Sequence, residues 1–211
     1  MTRRSFLVLS LTTIAGTGTP PHAQAAVPLV AAKLGEPAPA FEVADAAGRQ
    51  RALSKFKGKI VVLEWSSPSC PFAAAQYTSG RMPELQRWAK GKGVVWLTLL
   101  SSHPSRSDYL PGAQADAFNR KRGGVPSALL IDATGVVGRA YGAATANHMF
   151  VIASNGLLVY EGGIDDSSSM KPKEVAESHS FVRAALQDLT AGRAVAMPST
   201  EPVGCSLAYA G

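Results

Sequence analysis

Val61-Val-Leu-Glu-Trp-Ser-Ser-Pro-Ser-Cys-Pro-Phe72 decides how the rest of the chain is read. From Lys59 to Trp65 the residues form a nearly unbroken apolar run, the pattern of a strand covered on both faces, and Glu64 is its one charge. Ser66-Ser-Pro-Ser69 reads as a turn, and Pro71 suits a first helical position, where its missing N–H costs nothing. Cys70 is therefore expected where a buried strand hands over to a helix N-terminus. Unpaired N–H groups and the positive end of the helix dipole favour a thiolate there. The plainer alternative is a small apolar residue filling a strand–helix corner.

Downstream, residues 71–90 predict helix, interrupted at Ser79-Gly80 and restarting at Pro83. Residues 94–100 predict a second buried strand, 101–112 a polar loop, and 113–121 a short helix stopped by Gly123-Gly124. A short apolar run at 127–131 precedes a helix at 135–141 with Gly142 as its stop. Residues 149–152 and 157–161 flank Ser154-Asn155-Gly156, a hairpin signal, and 174–191 predict one closing amphipathic helix. Upstream, 41–43 and 49–53 predict a short hairpin around Ala46-Ala47-Gly48. Strands alternating with helices, then a hairpin and a helix, describe an α/β class with a mixed sheet covered on both faces. One domain over 34–194 is expected, followed by an irregular tail, 195–211, that carries Cys205.

The first 25 residues run from Thr2-Arg-Arg-Ser-Phe-Leu7 through an apolar stretch to Ile14 and end on Ala23-Gln24-Ala25. That order predicts a cleaved signal peptide, of twin-arginine type or an ordinary one that happens to carry two arginines, and either would place residues 26–211 in the periplasm or outside the cell. The apolar stretch is too short to span a hydrocarbon core of about 30 Å, so no stable membrane anchor is expected. The net charge of +6 falls to +4 without Arg3 and Arg4, and the remaining lysines, such as Lys55, Lys57 and Lys59, form no block interleaved with aromatics. Nucleic-acid binding is not expected. No phosphate loop or dinucleotide fingerprint occurs, and His103, His148 and His179 lack metal-ligand spacing, so neither cofactor nor metal is expected.

The strand and turn around Cys70 resemble the active-site segment of the thioredoxin-like redoxins, the alkyl hydroperoxide reductase and thiol-specific antioxidant superfamily. Gly93-Val-Val-Trp-Leu97 with Ser101-Ser102, Asp132-Ala-Thr-Gly-Val-Val-Gly-Arg-Ala-Tyr-Gly142 and His148-Met-Phe-Val-Ile152 extend the resemblance. Pro202-Val-Gly-Cys-Ser206 is similar to the tail of one peroxiredoxin-like branch. The resemblance implies a thioredoxin fold, with Cys70 as reactive thiol on a peroxide or a disulfide and an external thiol protein as reductant. Thioredoxins carry a buried acid below the redox cysteine, and Glu64, desolvated between Leu63 and Trp65, takes that place as proton acceptor; a salt bridge to a lysine is the alternative.

Departures from the family pattern shape the remaining expectations. Cys70-Pro71-Phe72-Ala73 has no second local cysteine, so a resolving thiol must come from Cys205 or another molecule. Peroxiredoxins use Pro-x-x-x-Thr-x-x-Cys; here those positions are Leu63, Ser67 and Cys70, leaving Ser67 to supply a hydroxyl without the shielding proline. The loop before Met149 should face Cys70. Its usual cis-proline is replaced by Asn147, expected in trans because a non-proline cis bond costs about 2.5–4 kcal/mol. Asn147 either donates toward the sulfur or caps a strand, and His148 lies near enough to contact Cys70. Together with Pro71 and Ser67 these residues would line the substrate site. Cys205 resolves, staples or stays unpaired; export favours a pair, because a lone exposed thiol outside the cytoplasm is a liability. Two functions follow: an exported thiol oxidoreductase, or a non-catalytic binding module with a structural Cys70–Cys205 bond.

Overall fold

The computed structural model describes Met1, residues 31–207 and Tyr209; the expected leader otherwise lies outside these residues. The run around Glu64 forms β3, Val61–Ser66, buried along its whole length. It is the middle strand of a five-stranded sheet, flanked on one side by β4 (Val95–Leu100) and β5 (Ala128–Ile131), on the other by β6 (Met149–Ile152) and β7 (Leu158–Gly162). β3, β4 and β5 run parallel, while β6 is antiparallel to β3 and β7 to β6. Parallel neighbours need long crossovers. These are α1 (Pro71–Thr78) with α2 (Arg81–Gly91), then α3 (Gly112–Lys121). The interruption read at Ser79-Gly80 separates α1 from α2, although the restart comes at Arg81 rather than Pro83.

Side-chain alternation along β3 sorts two cores. Val61, Leu63 and Trp65 face one of them, with Phe150, Tyr141 and α4 (Val136–Tyr141). Val62 faces the other, with Tyr77, Met82, Trp96 and Leu186. Trp65, Trp96 and Phe150 are fully buried, and burying each such side chain contributes about 1.5–3 kcal/mol. The first hairpin, β1 (Glu42–Ala44) and β2 (Gln50–Ala52), closes on the carboxylate of Asp45, which accepts from Ala47 N, Arg49 N, Arg49 Nε and Arg51 Nε. Through Ala46 N to Leu129 O the hairpin covers the exposed edge of β5.

One expectation is corrected. The closing segment is two helices, α5 (Pro172–Glu177) and α6 (Phe181–Thr190), not one. Competing hydrogen bonds end the first and start the second: Ser178 Oγ donates to Asp165 Oδ2 (2.8 Å), His179 N donates to Asp166 Oδ1 (2.8 Å), and Ser180 Oγ accepts from Arg183 N (3.2 Å). Asp165-Asp166 thus pins the break.

Candidate active site around Cys70 and the carboxyl-terminal tail

The sheet order explains which segments meet at Cys70. β3 ends at Ser66, so the following turn lies at the carboxyl end of the parallel strands; the antiparallel β6 begins at the same end. Trp65 N donates to His148 O (3.0 Å) and Asn147 N to Trp65 O (2.8 Å), which draws the 143–147 loop over the turn. Cys70 is the residue just before α1 and is 1% exposed. Around it pack Ala73, Ala146 and Phe72.

Cys205 is bonded to Cys70, with the α-carbons 5.7 Å apart across 135 residues of sequence. The tail reaches it along an ordered path. Residues near Ser199 pair with Glu161 at the β7 edge: Glu161 N donates to Pro198 O, and Thr200 N to Glu161 O. Further on, Ala146 N donates to Cys205 O (2.8 Å), Leu207 N to Ala144 O (2.8 Å), and Thr145 and Ser206 are antiparallel bridge partners. Cys205 N lies 3.2 Å from Cys70 Sγ as a donor. Two glycines make this approach possible. A Cβ on Gly204 would overlap the carbonyl of Ala146, and one on Gly138 would overlap the ring of Tyr209, whose hydroxyl donates to Ala143 O (2.6 Å). The irregular tail is therefore a fitted strap.

Glu64 faces the second core, 1% exposed. Tyr77 Oη donates to its Oε1 (2.7 Å), while Gln86 Nε2 (3.0 Å), Trp96 Nε1 (2.7 Å) and Thr98 Oγ1 (2.8 Å) donate to Oε2. No lysine is among its partners, so the alternative of a lysine salt bridge is not what the structure contains, and none of these bonds goes to either cysteine. The guanidinium of Arg122 stacks 3.6 Å from the centre of the Tyr77 ring. Burial, then the charge of Glu64, holds the Tyr77 hydroxyl well above the usual tyrosine range, so it remains a donor.

The other expected site residues are placed as follows. Pro71 is exposed at the first position of α1. Ser67 Oγ turns toward Asp108 Oδ2 (3.2 Å) and Ser69 Oγ (3.2 Å). The Ala146–Asn147 bond is trans, no cis peptide occurring among the described residues, and Asn147 sits at φ 68°, in the left-handed region. Its side chain donates to the tail carbonyl of Val203 over a long 3.4 Å, not to sulfur. His148 stacks on Phe150, ring centres 4.4 Å apart, and its Nδ1 accepts from Ala144 N (3.2 Å); it supports the 143–147 loop from behind instead of touching Cys70. Sequence reasoning missed Ala144, Ala146 and Gly204, whose parts are played by backbone. Among the described residues no cluster of His, Cys, Asp and Glu could hold a metal ion.

Burial lowers the pKa of His148 from 6.5 to about 4. The unfolded chain thus takes up a proton that the native one refuses, and stability is expected to fall as the pH drops from about 6.5 to about 4. The expected loss is on the order of 2 kcal/mol in urea titrations at the two ends of that window, and His148→Phe should remove it.

The AhpC/TSA family model matches residues 34–161. No curated protein matches the chain. Among solved structures, an uncharacterized conserved protein from Geobacillus kaustophilus is similar at 25% identity, covering 84% of this chain and 93% of that one, with a TM-score of 0.73. A hypothetical protein from Sinorhizobium meliloti 1021 is similar at 24% identity, covering 84% and 95%, with a TM-score of 0.71. A putative thiol:disulfide interchange protein DsbE from Chlorobium tepidum shares the fold at 20% identity, 74% and 99% coverage and a TM-score of 0.55. With the family match spanning more than half of its length, this chain belongs to the AhpC/TSA family of thioredoxin-like redoxins.

Proposed function

We propose that the protein is an exported thiol oxidoreductase in which the Cys70 thiolate attacks a disulfide in preference to a peroxide, and Cys205 resolves the product. The observation that carries the reading is the bond between Cys70, at the start of α1, and Cys205, on a separate strap. Reduction would leave Cys70 where helix N–H groups stabilise a thiolate, with its resolving partner on a segment able to leave and return. Disulfide is favoured over peroxide because the neighbours of Cys70 are Ala73, Ala146 and Phe72, whereas Ser67 and Asn147 bond elsewhere. Glu64 is proposed to serve proton transfer from below the turn. Electrons would come from an external dithiol protein. The twin-arginine leader and the disulfide both fit an oxidising compartment, and no described helix is long and apolar enough to cross a membrane.

The test is to react the dithiol-reduced mature chain with a small disulfide and with hydrogen peroxide, following free thiols and intact mass. Both thiols should disappear into one internal disulfide, and Cys205→Ser should trap a mixed disulfide on Cys70. A Cys70 that reacts no faster than free cysteine would leave only the second reading, a binding domain stapled by the Cys70–Cys205 bond.

A further inference from the structure

The strap holds Cys205 against Cys70 mainly through contacts that do not depend on its side chains. Cys205 O accepts from Ala146 N, Leu207 N donates to Ala144 O, and Cys205 N points at Cys70 Sγ. Any extended segment carrying a cysteine can make the same three contacts. The side chains around them restrict which segment fits. Gly204 leaves no room for a Cβ beneath Ala146 O. Val203 borders a narrow cleft with Phe72, Gln76 and Ile164, and Leu207 packs against the Trp65 core, whereas Ser206 is exposed. In that cleft Gln76 is 3% exposed and its Oε1 has no hydrogen-bond partner, although its Nε2 donates to Asp165 Oδ2 (2.8 Å).

We propose that the seat filled by residues 203–207 is a substrate groove, selective for disulfide-bonded cysteines in extended segments of the pattern aliphatic-Gly-Cys-x-aliphatic. This rests on the thiol-exchange reading and names its substrate class. The strap is then an internal copy of the substrate. In the reduced protein the strap leaves, a client segment pairs with Ala144 and Ala146, and the Cys70 thiolate attacks the client cysteine's sulfur. The Cys70–client disulfide forms, and the client's former partner leaves as a thiolate. Cys205, as thiolate, next attacks Cys70 Sγ; the client cysteine departs as thiolate, and the Cys70–Cys205 bond re-forms. Two electrons pass from the protein dithiol to the client disulfide, and an external dithiol restores the protein. Because client and strap compete for one seat, the return of the strap also expels the product.

The test uses the full-length Cys205→Ser chain, checked for native circular dichroism, and peptides of sequence Val-Gly-Cys-Ser-Leu whose cysteine is disulfide-bonded to the chromogenic thionitrobenzoate. Versions with alanine or valine in place of the glycine, and N-acetylcysteine bearing the same group, are compared. Each rate is normalised to that with free cysteine. The glycine peptide should react about tenfold or more faster than the valine peptide. Adding Gly204→Val, which evicts the strap, should raise the rate for the glycine peptide. Equal rates for all peptides and for N-acetylcysteine would overturn the groove while leaving thiol exchange in place. A slower reaction with Gly204→Val would show that the strap does not compete and overturn the groove as well. If no disulfide reacts, the exchange reading and the groove both fall. The peptide series repeated on dithiol-reduced wild type gives the same comparison without either substitution.

Discussion

Glu64→Leu is expected to lower the unfolding free energy by about 3–5 kcal/mol, the scale of removing one side of a buried charged network. The leucine fits the strand but orphans three buried donors, on Tyr77, Trp96 and Thr98, and leaves Gln86 Nε2 only its longer bond to Tyr77 Oη (3.3 Å). It also removes the negative charge that faces Arg122 across the Tyr77 ring. Glu64→Gln keeps one acceptor oxygen but turns an amide N–H₂ toward the other donors, so a smaller loss, about 1–3 kcal/mol, is expected. Urea unfolding followed by tryptophan fluorescence reads both. The proton-transfer proposal separates from stability in the folded glutamine variant: its thiol-exchange rate should fall under conditions where it is as fully folded as the wild type. An unchanged rate would reduce Glu64 to a structural acceptor.

Breaking the Cys70–Cys205 bond is the second large effect. Closing a loop of 135 residues is worth about 5 kcal/mol in the chain-entropy model, and measured values run from about 2 to 5 kcal/mol. Cys205→Ser, or reduction of the wild type, is expected to cost about 3–5 kcal/mol in the same assay. How the bond yields distinguishes the two functions. A redox centre should be reduced by a dithiol while the protein stays folded, but a staple should resist until denaturant is added. Resistance in the native state would remove the catalytic assignment of Cys70.

The sheet was readable because its signals are local. The run into Trp65, the break near Ser79 and the Ser154-Asn155-Gly156 turn each specify an element within a few residues. The closing helix misled because the helical spacing of Val175, Val182, Leu186 and Leu189 runs across the polar Ser178-His179-Ser180, and the break depends on carboxylates at Asp165 and Asp166, 13 residues away in sequence. At the site, the position of Cys70 and its pairing with the tail were within reach of spacing and compartment. What could not be read was how the neighbours use their polar groups. Glu64 stood out as a charge in an apolar strand, yet its donors come from α1, α2 and β4, 13 to 34 residues away. Asn147 and His148 occupy the expected loop, but a left-handed backbone at Asn147 and a stack on Phe150 turn both away from sulfur. The strap was hardest to foresee, because its contacts are main-chain atoms that no side-chain pattern announces.

The order in which the chain is made gives the strap a role in biogenesis. Every strand of the sheet, through Gly162 at the end of β7, leaves the ribosome before Cys205 does. A nascent chain can therefore present Cys70 at the head of α1 while its partner is still unsynthesised. Until the Cys70–Cys205 bond closes in an oxidising compartment, the thiol is open to over-oxidation and to pairing with another chain. Maturation is complete only when the last residues arrive. A molecule truncated before Cys205 would keep its strands but remain permanently in that vulnerable state.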